Sequence, residues 1–161
     1  MIHKFPDTDS QRIAVFAGSF NPFTVGHLSV LRRGLQLFDK IIVVLGYNID
    51  KESDAIRINE RRESLSALLA PLSQVEVWSW SGLTVDAARK AGARFLLRGV
   101  RTVADFEYER NMADINRELS GIETVVFFAT PSESMVSSSM VRELSRYGHD
   151  VTRFLPPNPI V

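Results

Sequence analysis

Ile13-Ala14-Val15-Phe16-Ala17-Gly18-Ser19-Phe20-Asn21-Pro22-Phe23-Thr24-Val25-Gly26-His27 is the stretch that decides the fold. Its first five residues are apolar without interruption, the signature of a short buried strand. Small residues follow at Gly18, Ser19 and Gly26 and let backbone and ligand approach closely. Asn21-Pro22 marks a turn, and a helix begins close to Gly26, with Leu28, Leu31, Leu35 and Phe38 recurring on one face. A strand that passes through small residues into a helix offers an anion the free amides and positive dipole end of that helix. His27 falls in the first turn, where its imidazole can reach the same anion.

The alternation continues outward from this unit. Segments 12–17, 40–46, 75–78, 95–97 and 123–129 read as strands, short and rich in valine, isoleucine and phenylalanine. Leu65, Leu68, Leu69 and Leu72 form a second helical face, and Pro71 ends that helix near Ala70. Tyr108, Met112, Ile115 and Leu119 predict a third buried face, and Met140, Val141 and Leu144 a fourth. Five strands alternating with helices predict an α/β fold. It is a single-domain, Rossmann-like, five-stranded and mostly parallel sheet with helices on both faces. Ligands of such sheets bind beyond the carboxyl ends of the strands, so functional residues belong just after them. The polar leader 1–11 is expected to be disordered, leaving 12–161 as the domain. The ending Phe154-Leu155-Pro156-Pro157-Asn158-Pro159 cannot continue a helix and predicts an irregular tail.

Nineteen basic residues balance nineteen acidic ones, which argues against the broad positive field of a nucleic-acid or membrane-surface binder. The absence of cysteine excludes disulfides, thiolate metal sites and a cysteine nucleophile. No apolar stretch approaches the roughly 20 residues that span a bilayer. The N-terminus carries no export-signal pattern, so a soluble cytoplasmic protein is expected.

Three further clusters follow predicted strands. Arg98-Gly99-Val100-Arg101-Thr102-Val103-Ala104-Asp105-Phe106-Glu107-Tyr108-Glu109 opens with two arginines separated by a glycine, a set of donors suited to phosphate oxygens. Lys51 lies in Asn48-Ile49-Asp50-Lys51-Glu52. Ser132-Glu133-Ser134-Met135-Val136-Ser137-Ser138-Ser139 leads into the last helix with more hydroxyls than a cap requires. Taken singly, these features also fit an ordinary turn, a solvated charge pair, a loop lysine and a helix cap.

Together they fit something more specific. Thr24-Val25-Gly26-His27, after its Gly-Ser-Phe-Asn-Pro turn, resembles the T/HxGH signature of the nucleotidyltransferase superfamily. The stretch 98–109 is similar, nearly letter for letter, to the RGxRxxxDFEYE pattern of pantetheine-phosphate adenylyltransferases, and Val136-Ser137-Ser138-Ser139 resembles their ISSS motif. The resemblance covers about 12–155. It implies transfer of the adenylyl group of ATP to 4′-phosphopantetheine, giving dephospho-coenzyme A and pyrophosphate, by direct in-line attack without a covalent enzyme intermediate. The attacking phosphate is already ionised, so the reaction needs positioning and charge stabilisation more than a strong base.

By the same resemblance His27 and Lys51 meet the charge developing on the α-phosphate, Lys51 also contacts the phosphate of phosphopantetheine, and Ser19 hydrogen-bonds that attacking phosphate. Arg98 binds the other oxygens of that phosphate, and Thr84 lines the pantetheine arm. ATP falls to Ser19, Phe20, His27, Gly99, Val100, Arg101 and Glu109, and to Glu133, Ser134, Met135, Val136, Ser137, Ser138 and Ser139. Magnesium is expected to enter with ATP, without assigned protein ligands, and a homohexamer is implied. Ser19 stands where the family carries threonine, Asn21 where it carries aspartate, and Glu133 where many members carry an aromatic residue. Two other readings stay open. One is a related transferase acting on nicotinamide mononucleotide, or on glycerol or choline phosphate with CTP. The other is a non-catalytic ATP-binding sensor.

Overall fold

A computed structural model describes residues 10–48 and 52–160; Lys51 and the first nine residues of the leader lie outside them. The elements in chain order are β1 (Ile13–Gly18), α1 (Val25–Gly34), β2 (Lys40–Gly46), α2 (Glu52–Leu69), β3 (Val75–Trp80), α3 (Thr84–Lys90), β4 (Phe95–Val100), α4 (Val103–Ser120), β5 (Glu123–Phe128) and α5 (Ser138–Arg146). The strands form one five-stranded sheet in the order β3-β2-β1-β4-β5, and every pairing is parallel.

Burial on both faces explains the unbroken apolar runs. In β1, β2 and β4 the residues Ala14, Val15, Ile41, Val43 and Leu97 are all fully covered. One face packs Leu28 and Leu31 of α1 and Leu65 and Leu69 of α2 against Phe16, Ile41 and Val43. The other packs Val85, Ala87 and Ala88 of α3 against Val15, Ile42 and Val44. The chain winds outward from β1 to β2 and β3, then returns past β1 to β4 and β5. The winding direction therefore reverses between β1 and β4, and a crevice opens there at the carboxyl ends.

Three elements differ from the reading of the sequence. β3 continues to Trp80, and β4 continues past Leu97 through Arg98 and Gly99 to Val100. Arginine and glycine are poor strand formers, so composition stops at Leu97; pairing of Arg98 with Val126 and Gly99 with Phe127 carries the strand on. Arg98 is thereby held in the sheet and not in a loop.

The third difference concerns α4. Three of the four residues of the stripe expected to be buried are exposed, Tyr108 by 61%, Ile115 by 51% and Leu119 by 55%, and only Met112 turns inward. The face turned to the sheet instead carries Asp105, Glu109, Met112, Ala113, Asn116 and Ser120, spaced at three and four. Periodicity identified the helix correctly but not its orientation, because the inward face of this helix is polar. The tail does pack irregularly, apart from a short 3-10 turn at Thr152–Phe154, and buries Phe154 and Ile160.

Candidate active site

The carboxyl end of β1 is built around Thr24, the N-cap of α1, which is almost completely buried. Its Oγ1 accepts from the backbone amide of His27 at 3.4 Å, while its own amide donates to His27 Nδ1 at 3.0 Å. This is a capping box in which a histidine fills the place usually taken by glutamate or glutamine. Because Nδ1 accepts a backbone N–H, the proton of the neutral ring sits on Nε2, on the side away from the cap. Burial, reinforced by the charges of Arg101 and then Arg98, lowers the pKa of His27 to about 4. At neutral pH the imidazole is therefore an uncharged Nε2–H donor.

Aromatic rings fix its plane. Phe20 meets the imidazole edge-on at 5.0 Å between centroids, and Phe23 lies at 5.3 Å. Phe20 has a φ of 43°, a left-handed conformation that a bulky side chain seldom adopts. Its ring also covers Gly18, where a Cβ would come within 3.1 Å of Phe20 Cζ. Glycine at 18 is what lets that ring fold back over the strand end.

A cavity of about 250 Å³ opens beside this loop. Gly18, Phe20 and His27 wall it on the β1 side, Arg98 to Arg101 on the β4 side, and Val136 to Ser139 at the start of α5. Gly99 lets β4 approach α1 closely, since a Cβ there would lie 2.9 Å from Val30 Cγ2. A smaller cavity of about 110 Å³ lies behind it, walled by Thr84, Tyr108, Met112, Asn116 and Thr124 among others. Arg98 contributes to the walls of both.

The guanidinium of Arg98 is held on two sides. Nε and Nη2 donate to the two carboxylate oxygens of Glu109 at 2.9 and 2.6 Å, and Nη1 donates to the carbonyl of Ala17. The side chain of Glu109 is 9% exposed and that of Arg98 is 29% exposed, so Glu109 is the buried partner and Arg98 reaches open space. Arg101 sits at the mouth, its Nε 3.4 Å from Asp105 and its Nη1 donating to the carbonyl of Val136 at 3.4 Å.

The serine run divides its tasks. Ser137 Oγ caps α5 by accepting from the amide of Met140 at 3.1 Å, and Ser138 Oγ donates to the carbonyl of Pro22 at 2.7 Å. Ser139 lines the large cavity without such a bond among the described residues. The first turn of α5 thus faces the first turn of α1 across the cavity, two helix N-termini converging on one space.

Most residues singled out in the sequence meet here: Phe20, His27, Arg98, Gly99, Val100, Arg101, Glu133, Val136, Ser137, Ser138 and Ser139 line the large cavity, and Thr84, Arg98 and Glu109 the small one. Ser19, Ser134 and Met135 line neither; Ser19 lies exposed at the rim, Ser134 Oγ turns to the carbonyl of Pro131 at 3.0 Å, and Met135 is exposed. Asn21 is exposed as well. Tyr108, Met112, Asn116 and Thr124 were not anticipated. The spacing Glu109, Met112, Asn116 was the available signal, had Glu109 been taken as facing inward. Among the described residues no three histidine, aspartate or glutamate side chains converge on a metal-sized site. Nor is any helix among them long and apolar enough to cross a membrane.

Comparison with known proteins agrees with this geometry. A cytidylyltransferase-like family model matches residues 15–144. The phosphopantetheine adenylyltransferase of Phocaeicola vulgatus is 46% identical over 145 residues, covering 90% of this chain and 95% of that protein. The enzyme of the same name from Leuconostoc citreum is 41% identical, covering 89% of this chain and 91% of its own length. A bifunctional NMN adenylyltransferase/ADP-ribose pyrophosphatase from Francisella tularensis shares the fold. Its TM-score is 0.64 at 16% identity, over 91% of this chain and 45% of that one.

Proposed function

The chain belongs to the phosphopantetheine adenylyltransferases, and on that premise we propose how its two cavities transfer the adenylyl group of ATP to 4′-phosphopantetheine. The observation that carries the reading is Arg98, which walls both cavities at once. ATP occupies the larger one, its phosphates between the helix N-termini of α1 and α5. The pantetheine arm occupies the smaller one, beside Thr84, Met112 and Asn116. The acceptor phosphate then lies at Arg98, at the junction, facing the α-phosphorus.

An oxygen of that phosphate forms the new bond to the α-phosphorus as the bond to the α,β-bridging oxygen breaks. The electron pair leaves with pyrophosphate, so no enzyme nucleophile and no proton abstraction are required. Catalysis then rests on alignment and on donors aimed at developing charge. His27 Nε2–H supplies such a donor to an α-phosphate oxygen without needing a charge of its own. Ser19, just after β1, adds a hydroxyl, and Lys51 adds a cation by the family resemblance alone. Magnesium entering with ATP would neutralise part of the phosphate charge, and among the described residues no carboxylate cluster would draw it away from those phosphates.

The same reading places the protein in the cytoplasm with its ATP supply, and as a homohexamer. Tyr108, Ile115 and Leu119 on α4, together with exposed Phe106 and Phe128 stacked at 6.4 Å, supply apolar surface for contact between copies. The activity is tested by incubating the protein with ATP, magnesium and one acceptor at a time and measuring pyrophosphate. Release with 4′-phosphopantetheine and none with nicotinamide mononucleotide is expected. The reverse preference, or ATP binding without turnover of any acceptor, would reject the assignment.

A further inference from the structure

Three arginines from three elements hold alternate carbonyls of the segment joining β1 to α1. Arg98 of β4 donates to Ala17, Arg61 of α2 to Ser19, and Arg142 of α5 to Asn21 at 2.5 Å. Ser138 adds the carbonyl of Pro22. Arg98 belongs to the site already described, but Arg61 and Arg142 line neither cavity.

Ser19 and Asn21 are exposed, and water alone could satisfy their carbonyls. What a guanidinium adds is direction. The carbonyl and amide of a trans peptide point opposite ways, so anchoring Ser19 C=O toward α2 turns the amide of Phe20 away from α2. Phe20 is also the residue held at a φ of 43°. Backbone of that kind persists only where its surroundings over-determine it. Here the surroundings are a ring packed on Gly18 and His27 from within and two arginines from without.

We propose that Arg61 and Arg142 are positioning residues. They hold the β1–α1 loop so that Ser19 Oγ, the amide of Phe20 and His27 Nε2 meet the phosphates without prior rearrangement. Its kinetic consequence rests on the transfer reaction proposed above; its structural consequence does not.

The test compares Arg61→Ala, Arg61→Lys, Arg142→Ala and Arg142→Lys with the unaltered protein. In the ligand-free alanine variants, hydrogen exchange in the peptide covering 18–24 should quicken while exchange in the sheet and the melting temperature stay close to the parent values. In turnover, kcat should fall by about 10–100-fold, the scale of a modest misplacement, with the KM for ATP changed by less than about threefold. Lysine should recover most of the loss, since one carbonyl needs one donor. Unchanged exchange at 18–24 in both alanine variants would overturn the inference, whether or not the protein transfers adenylyl groups. So would a raised KM for ATP at constant kcat that lysine does not repair, which would make these arginines phosphate ligands. Faster exchange throughout the sheet would reduce them to scaffold and equally overturn it. An unaltered protein that releases no pyrophosphate would refute the transfer reading alone, and the exchange result would still judge the arginines.

Discussion

Replacing His27 by alanine should lower turnover by on the order of 10²–10³-fold or more, the scale seen when one preorganised donor to a developing charge is lost. Glutamine should recover part of that loss, because its amide nitrogen can donate from near the position of Nε2. A histidine that had to carry a charge or shuttle a proton would not be replaceable in this way. Failure of glutamine to exceed alanine would therefore remove the neutral-donor role while leaving histidine essential. The alanine variant also loses the acceptor for the amide of Thr24, so a loss of stability of about 1 kcal/mol, typical of a helix cap, is expected beside the catalytic defect.

The lowered pKa of His27 has its own signature. In the unfolded chain the imidazole titrates near its ordinary value of 6.5, and in the folded protein at about 4. Between those values the unfolded chain binds more protons, so stability falls as the pH drops from about 6.5 toward 4 and is fully present above that window. Turnover should stay flat across neutral pH as far as this residue is concerned. Thermal melts of the parent and His27→Gln at pH 5 and pH 7 check the first statement: the parent should lose more on acidification than the variant.

The second large effect belongs to Arg98. Its removal leaves Glu109 buried and unpaired, and breaking a buried ion pair from one side costs about 3–5 kcal/mol. Arg98→Met should therefore unfold at markedly lower denaturant and also lose affinity for the acceptor phosphate. The pair Arg98→Met with Glu109→Met separates the two consequences. Replacing both partners by apolar side chains of similar volume restores stability in many buried pairs, and here it should do so without restoring the KM for 4′-phosphopantetheine. Recovery of both together would show that Arg98 acts on the acceptor only through the fold. A selective rise in the KM for ATP would move Arg98 from the acceptor to the donor side.

The particular residues show how much was legible. Segment 13–27 announced its strand, its turn and its helix, because hydrophobic run, small residues and helical spacing each report local structure. The sheet followed from repetition of that pattern, and the crevice from the general rule for open parallel sheets. Arg98 and Glu109 were both marked as functional, yet their pairing was not foreseen, because eleven residues of sequence separation say nothing about which helix face turns inward. The apolar stripe on α4 pointed the wrong way for the same reason: a polar cavity wall inverts the usual amphipathic logic. Arg61 and Arg142 left no trace at all. A guanidinium that serves a distant backbone carbonyl has no local spacing to betray it, and on a helix it reads as a solvated face.

Direct displacement at the α-phosphorus of ATP by the phosphate of 4′-phosphopantetheine fixes the configuration of the product. The most direct test is the stereochemical course with ATP made chiral at the α-phosphorus by sulfur substitution. Single in-line attack predicts a thio-analogue of dephospho-coenzyme A with inverted configuration. Retention would require an adenylylated enzyme and would contradict the account, as would failure to form the product from an analogue that the protein binds.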